Sequence, residues 1–331
     1  MKKAIIITTI NSIENTSIND FKKYDFDIIV IGDLKTPDSG YINNKDLIYL
    51  HPTKFNEFSE FSKNLPFNHY TRKNIGYLYA IKNGYDLIFD TDDDNYPICD
   101  FEKFNIDYTN YQFKKITNPK FPNMLKLYTN LHIWPRGFPL ELVNKNEEIK
   151  ISNNYDICEI GIFQSLAEGD PDVDAIFRLT NQNYNQSIKF DNNKAYIIER
   201  EVYTQGNTQI TFWIDPTLFH LLYIPVTVSF RFCDILKMYI AQKCMWQYNK
   251  KLCYISPLVK QVRNDHNLLK DFISEYPMYI NLLKIVNNIF ENLELNGNKN
   301  DLLIVYEKLL ESGIVYEDEI INVKNWLKIL N

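Results

Sequence analysis

A chain of 331 residues, 45% of them hydrophobic, is long enough for a sizeable core and about two domains. Its 36 basic residues against 42 acidic ones leave a formal charge of −6, which argues against a nucleic-acid scaffold and for a small-molecule or glycan partner. Five cysteines (Cys99, Cys158, Cys233, Cys244 and Cys253), odd in number and without a CxxC pair, point to neither a disulfide framework nor a zinc site and fit a reducing compartment.

The N-terminal stretch "MKKAIIITTINS" carries a seven-residue apolar run, too short for a signal peptide, and reads as a first buried strand. "FDIIVIGD" (26–33) and "DLIYL" (46–50) read as two more strands. In "NHYTRKNIGYLYAIKNGY" (68–85) the apolar residues Ile75, Leu78, Tyr79 and Ile81 recur at helical spacing, and Gly84 suits a helix C-terminus. "DLIFD" (86–90) follows as a fourth strand. Strands alternating with helices predict an α/β fold, a mostly parallel Rossmann-type sheet with helices on both faces.

The middle, about 111–262, is irregular and rich in turns, the kind of segment that builds a substrate face. Its longest uncharged apolar stretch, "PTLFHLLYIPVTVSF" (216–230), contains a His and an internal Pro and cannot span a bilayer. A soluble, cytoplasmic protein without a transmembrane segment is expected. From about 265 onward apolar residues recur every three or four positions, which predicts a C-terminal helical layer without chemistry of its own.

Directly behind the fourth strand, "LIFDTDDDNYP" (87–97) crowds Asp90, Asp92, Asp93 and Asp94, although each raises the cost of ionising the others. A solvated turn is the plain reading. A seat for a divalent cation is the other, and the carboxyl edge of an α/β sheet is where ligands bind. An EF-hand loop would need Gly at its sixth position and Glu at its twelfth, where Asn95 and Phe101 stand. An aspartyl-phosphate phosphatase would need Thr or Val where Asp94 stands. The remaining chemistry is the DxD motif of nucleotide-sugar glycosyltransferases, in which Mn²⁺ or Mg²⁺ bridges the donor's two phosphates. Asp94 is assigned to the metal, Asp92 and Asp93 to the donor, and Asp90 to the strand itself. Asp33, ending the second strand, can hold a base or ribose edge. Arg72 and Lys73, opening the helix before the DxD strand, can offset diphosphate charge or simply face solvent. Thr8, in the first strand, completes the donor set.

These residues resemble the STELLO-type glycosyltransferases through "FDTDDDN", "IWPRGFPLE", "QSLAEGDPDVDAIFRL", "LLYIPVTVSFRFCDILKMYIAQ" and "QVRNDHNLLKDF", which together cover about 70–275 in order. "RGFPLE" also looks like part of the reversibly glycosylated polypeptides (UDP-arabinose mutases), more distant relatives. The resemblance implies a GT-A fold, a metal-dependent donor that is a UDP-sugar, and hexosyl or pentosyl transfer to a glycan or other hydroxyl acceptor. With the change to helical spacing, a GT-A domain over 1–262 and a helical extension over 263–331 are expected. Within the domain, 1–110 is the nucleotide-sugar half and 111–262 the acceptor half. This chain departs from the family in starting directly at a strand, without the plant members' tail and anchor, and in reading Lys237-Met238-Tyr239 where the family has Arg-Gly-Tyr.

Asp234 opens the helix-like "DILKMYIAQKCMW" and is either its N-cap or the base that deprotonates the acceptor. His266 is either a late metal ligand, as GT-A enzymes often supply, or structural. In "EGDPDVDA", Asp172 and Asp174 (with Asp170) either bond substrate hydroxyls or make an ordinary turn. Trp213 and Trp134 either stack on a sugar or pack in the core. A non-catalytic GT-A scaffold and a nucleotide-sugar mutase are the alternative functions.

Overall fold

Isoleucine-rich runs with two apolar faces form one end of a single sheet. The computed structural model describes residues 1–99, 111–145, 147–181, 188–263 and 267–331; His266 lies outside them. Strands β1 (Lys3–Thr8), β2 (Asp27–Ile31), β3 (Leu47–Leu50) and β4 (Leu87–Thr91) lie parallel in the order β3-β2-β1-β4. The remaining strands are β5 (Asn95–Pro97), β6 (Gln112–Asn118), β7 (Lys150–Ser152), β8 (Ile160–Gly169), β9 (Lys194–Ile198), β10 (Ile210–Trp213) and β11 (Lys251–Gln261). They continue the sheet as β4-β10-β8-β11-β9-β6-β7, with β5 on β11. Strand β10 is antiparallel to both neighbours, whereas β8 and β11 run parallel to each other. The sheet is therefore mixed, with most strands running one way, in an α/β arrangement.

Alternation along the strands divides the core in two. Ala4, Ile6, Ile29 and Ile88 face one layer; Ile5, Ile7, Ile28 and Phe89 face the other. Phe89 stacks on its β10 neighbour Phe212 with ring centroids 4.1 Å apart, which fixes the register of the antiparallel pair. The helices are α1 (Ile18–Phe21), α2 (Ser59–Ser62), α3 (Lys73–Lys82), α4 (Ala175–Thr180), α5 (Cys233–Met245), α6 (Leu268–Lys284), α7 (Asp301–Glu311) and α8 (Glu317–Leu330). Helix α1 packs on the second face through Ile18 and Phe21, and α3, α5, α7 and α8 contribute to the first. At Gly76 a Cβ would lie 2.4 Å from the Ile31 side chain, so only Gly lets α3 approach β2 this closely. Gly84, at φ +69°, ends the helix in the left-handed conformation.

The C-terminal layer has no separate core. Val305, Tyr306 and Trp326 belong to the same apolar cluster as Ile6 and Ile88. Buried Glu319 on α8 accepts from Val226 N (2.9 Å), Thr227 N (2.6 Å) and the Tyr223 hydroxyl, so the helix clamps the loop that leads to α5. Trp326 Nε1 donates to the His220 carbonyl at 2.9 Å. Among the described residues no helix is long and apolar enough to cross a membrane.

His220 tests this clamp. It is buried, its Nδ1 is 3.0 Å from the Thr217 carbonyl, and burial pushes its pKa down from 6.5 to about 4. A folded-state value below the unfolded one stabilises the protein fully above 6.5, and the contribution is lost as the pH falls towards 4. Urea unfolding should therefore show a loss of about 2 kcal/mol between pH 7.5 and 5 in the wild type that His220→Gln lacks. Equal losses in both proteins would show that the imidazole is not held neutral.

Candidate functional site

A cleft of about 560 Å³ opens at the carboxyl ends of β1, β2 and β4. One wall comes from Thr8, Thr9 and Asn11 after β1, Asp33 after β2 and the turn Asp92–Asp94 after β4. The other comes from Arg136, Asp172, Arg231 and Asp234, and the end of β11, with Gln261 and Arg263, joins the two beside Asp94.

The floor beneath the acidic turn is a buried ion network. Asp90 is wholly inaccessible, with Lys73 Nζ at 2.7 Å and Lys237 Nζ at 3.3 Å. Burial and the charge of Asp90 keep the Tyr77 phenol protonated, so it donates to the same carboxylate. Lys73 also reaches Asp92 Oδ1 (3.1 Å), the Tyr70 hydroxyl (2.9 Å) and the carbonyls of Thr91 (2.7 Å) and Thr208 (3.1 Å). Burial works against its charge, but Asp90 and Asp92 outweigh it and hold the ammonium above the ordinary lysine range. This corrects the assignment of Lys73 to a diphosphate: the ammonium is fully buried, and protein oxygens take up its three N–H groups. Lys237, the departure from the family's Arg-Gly-Tyr, is the second cation of the floor. Burial pulls its pKa down to about 8.

The three turn carboxylates are held differently. Asp93 faces β1, accepting from the Thr9 hydroxyl and from Asn11 Nδ2 at 3.0 Å. Asp92 Oδ1 accepts from Tyr70 (2.7 Å) as well as Lys73. Asp94 Oδ2 accepts from Gln261 Nε2 (3.1 Å), while its buried Oδ1 has no hydrogen-bond partner among the described residues. Burial, then the charge of Asp92, push the Asp94 carboxyl up to about 7. Among the described residues no three of His, Cys, Asp and Glu converge on one point. A phosphate-bound Mg²⁺ needs only one or two protein carboxylates, with phosphates and water completing its shell. The orphaned oxygen of Asp94 beside Asp92 fits that requirement.

On the opposite wall, Arg136 forks to two carboxylates. Its Nη1 and Nη2 donate to Asp234 Oδ1 (2.9 Å) and Oδ2 (2.8 Å), and its Nε and Nη2 donate to Asp172 Oδ1 (2.9 Å) and Oδ2 (2.8 Å). Burial disfavours an Asp172 carboxylate, but the Arg136 charge more than compensates and holds its pKa far below the ordinary value. Asp234 is not an N-cap. It lies one residue inside α5, whose N-cap Phe232 makes no side-chain cap bond, and its carboxylate serves Arg136. Asp174 leaves the substrate set: it caps α4 through Phe177 N (2.7 Å) and accepts from Trp134 Nε1 (2.7 Å), fully buried and away from the cleft. Trp213 leaves it too, being fully buried in the core. Asp33 lines the cleft with its oxygens fixed by Leu34 N (2.8 Å) and His69 N (3.2 Å). Arg72 lies 3.8 Å from Asp33 and over the Phe67 ring at 4.5 Å.

Sequence reasoning gave no role to Tyr70, Arg136, Arg231 or Arg263, all of which line the cleft. Arg136 did leave a signal. An arginine inside the apolar, proline-flanked "IWPRGFP" must be buried, and a buried guanidinium needs carboxylates.

No family model matches the chain. The chain is similar to the probable glycosyltransferase STELLO1 of Arabidopsis thaliana, 26% identical over 238 residues, covering 67% of this chain and 30% of the relative. It is also similar to the probable glycosyltransferase STELLO2 of the same plant, 25% identical over 309 residues, covering 88% of this chain and 39% of the relative. The chain thus spans well under half the length of these relatives, and the resemblance to STELLO-type glycosyltransferases extends over most of it. Among solved structures, glucosyl-3-phosphoglycerate synthase from Mycobacterium tuberculosis in complex with phosphoglyceric acid superposes with a TM-score of 0.40 at 8% identity, covering 86% of this chain and 79% of that one.

The ion network makes a direct prediction. Asp90→Asn leaves two buried ammonium groups facing an amide, so urea unfolding should show a loss of about 3 kcal/mol or more. A loss below about 1 kcal/mol would mean that Asp90 does not anchor the floor.

Proposed function

We propose that this chain, a relative of the STELLO-type glycosyltransferases, moves a sugar from a nucleotide-sugar donor, a UDP-sugar, to a hydroxyl acceptor with the help of a divalent cation. The observation that carries this reading is the acidic turn at the sheet's carboxyl edge, where Asp92 and Asp94 face the cleft with carboxylate oxygens to spare. Charge supports it. Six aspartates and four arginines line the cleft, a formal −2, and a diphosphate entering it needs a cation between.

In this reading Asp33 takes a ribose hydroxyl at the β2 end, its carboxylate pre-oriented by Leu34 N and His69 N. Asp92 and Asp94 would hold Mn²⁺ or Mg²⁺, which would supply positive charge against the leaving diphosphate. Asp234, across the cleft, takes the proton from the acceptor hydroxyl. The acceptor oxygen then bonds to the anomeric carbon, the bond from that carbon to the diphosphate breaks, and its electron pair leaves with the nucleotide. Each Asp234 oxygen receives one N–H from Arg136 and keeps a lone pair for that proton.

Two measurements follow. UDP at a hundred times its dissociation constant should stabilise the protein by about 2.7 kcal/mol when Mg²⁺ or Mn²⁺ is present. The shift should vanish on chelation and in Asp94→Ala; equal stabilisation after chelation would remove the metal from the reading. Asp234→Asn should keep UDP affinity, lose about 1–3 kcal/mol of stability because Arg136 forfeits a charged partner, and slow sugar release from a UDP-sugar by about 100-fold. Wild-type turnover in that variant would confine Asp234 to holding Arg136.

A further inference from the structure

The four cleft arginines are not equally satisfied. Arg136 is saturated by Asp172 and Asp234, and Arg72, whose shielded Nε has no hydrogen-bond partner among the described residues, lies 3.8 Å from the Asp33 carboxylate. Arg231 uses only one edge. Its Nε donates to Glu275 and lies 3.8 Å from Asp271, while its shielded Nη2 has no hydrogen-bond partner among the described residues. Arg263 has no hydrogen bond or ion pair among the described residues, and its Nε and Nη1 are likewise shielded and unpartnered. Burial and the nearby charges of Arg178 and Arg231 pull its pKa down to about 10. Leaving buried guanidinium donors without acceptors is costly, more so because they are charged, so a fold that keeps three of them on two neighbouring arginines has a use for an anion there.

The location says which anion. The Arg231 carbonyl accepts from Arg136 Nη1, and Arg231 precedes Asp234 by three residues. Arg231 therefore belongs to the wall of the proposed base; Arg263, whose charge bears on Arg231 and Asp172, lies next to it at the end of β11, two residues beyond Gln261, which bonds Asp94 of the acidic turn. We propose that Arg231 and Arg263 seat an anionic group, a phosphate or carboxylate, carried by the acceptor. This rests on the transferase reading above and narrows its acceptor from any hydroxyl compound to one that is negatively charged. Arg231 is set rigidly for the role, because Glu275, wholly buried on α6, holds its Nε while also accepting from Ala175 N at 2.7 Å.

The test is calorimetric titration of the full chain with inorganic phosphate, and separately with acetate, in the presence and absence of saturating Mg²⁺ and UDP. Phosphate or acetate should bind while UDP remains bound, and the anion that binds more tightly identifies the acceptor's group. Arg263→Gln should weaken that binding by 10-fold or more and leave UDP affinity within 2-fold. Arg231→Gln should do the same, and its melting curve shows whether it folds; Arg263→Gln, on a guanidinium with no hydrogen bond or ion pair among the described residues, decides the matter if it does not. Phosphate that displaces UDP, or an Arg263→Gln variant that weakens UDP and phosphate alike, would assign the arginines to the donor's diphosphate and overturn the proposal. So would anion binding that is absent or indifferent to Arg263. A protein that binds no UDP but binds phosphate through Arg263 would sink the transferase reading and leave the anion seat standing.

Discussion

Everything at the cleft depends on a carboxylate that never reaches it. Asp90 is the last inward-pointing acid of β4 before the turn, and it has no access to water. At that depth an unpaired charge would cost several kcal/mol, and two lysines from different helices meet it. Lys73 opens α3 and Lys237 lies in the second turn of α5, so one side chain fastens a strand and two helices at a single point. Lys73 then extends from that point to Asp92, which carries the constraint from the buried floor into the acidic turn. The turn's crowding of like charges is tolerable because two cations lie directly beneath it and hydroxyl or amide donors fix Asp92, Asp93 and Asp94 one by one.

The same logic separates structural from available charge around the cleft. A buried cation bonded on all sides is part of the scaffold, whatever its sequence neighbours suggest, and Lys73 and Arg136 are of that kind. A cation with shielded donors and no acceptor is not finished by the protein alone, as with Arg263. Aspartates divide in the same way. Asp174 is consumed by a helix cap and an indole, Asp93 by the β1 loop, and Asp94 keeps an oxygen without a partner. Residue type and position along the chain are shared by both groups; only the completeness of the hydrogen bonding tells them apart.

That is also why the sequence was readable to a definite depth. The four strands and the helix of the first ninety residues follow from local patterns, apolar β-branched runs and helical spacing closed by Gly84, and these survive folding because they set it. Asp92–Asp94 were legible as a turn at the sheet's carboxyl edge, lining the cleft, because a strand end is a local property. Lys73 was misjudged because its fate depends on Asp90 and on the Thr208 carbonyl, 135 residues away. Trp213 and Asp174 were misjudged for the same reason: burial and capping are settled by partners that no local window contains. The pairing of Arg136 with Asp172 and Asp234 joins three distant segments, and nothing short of the fold announces it.

The C-terminal helices, which carry no motif, have a share in the site through these long-range contacts. Glu275 of α6 is buried beneath the cleft wall, where it orients Arg231 and satisfies the first backbone N–H of α4. Glu319 of α8 gathers the backbone of Val226 and Thr227, four residues before Phe230 and Arg231 enter the wall. Each is a buried acid whose only acceptable state is one with several donors, so each fixes the geometry of what it holds. The helical layer thus does for the arginine wall what Lys73 and Lys237 do for the acidic turn. A cleft that crowds charges of both signs is stable only if they are anchored from behind, and in this chain one anchor lies in the sheet's central helices and the other in its last sixty residues.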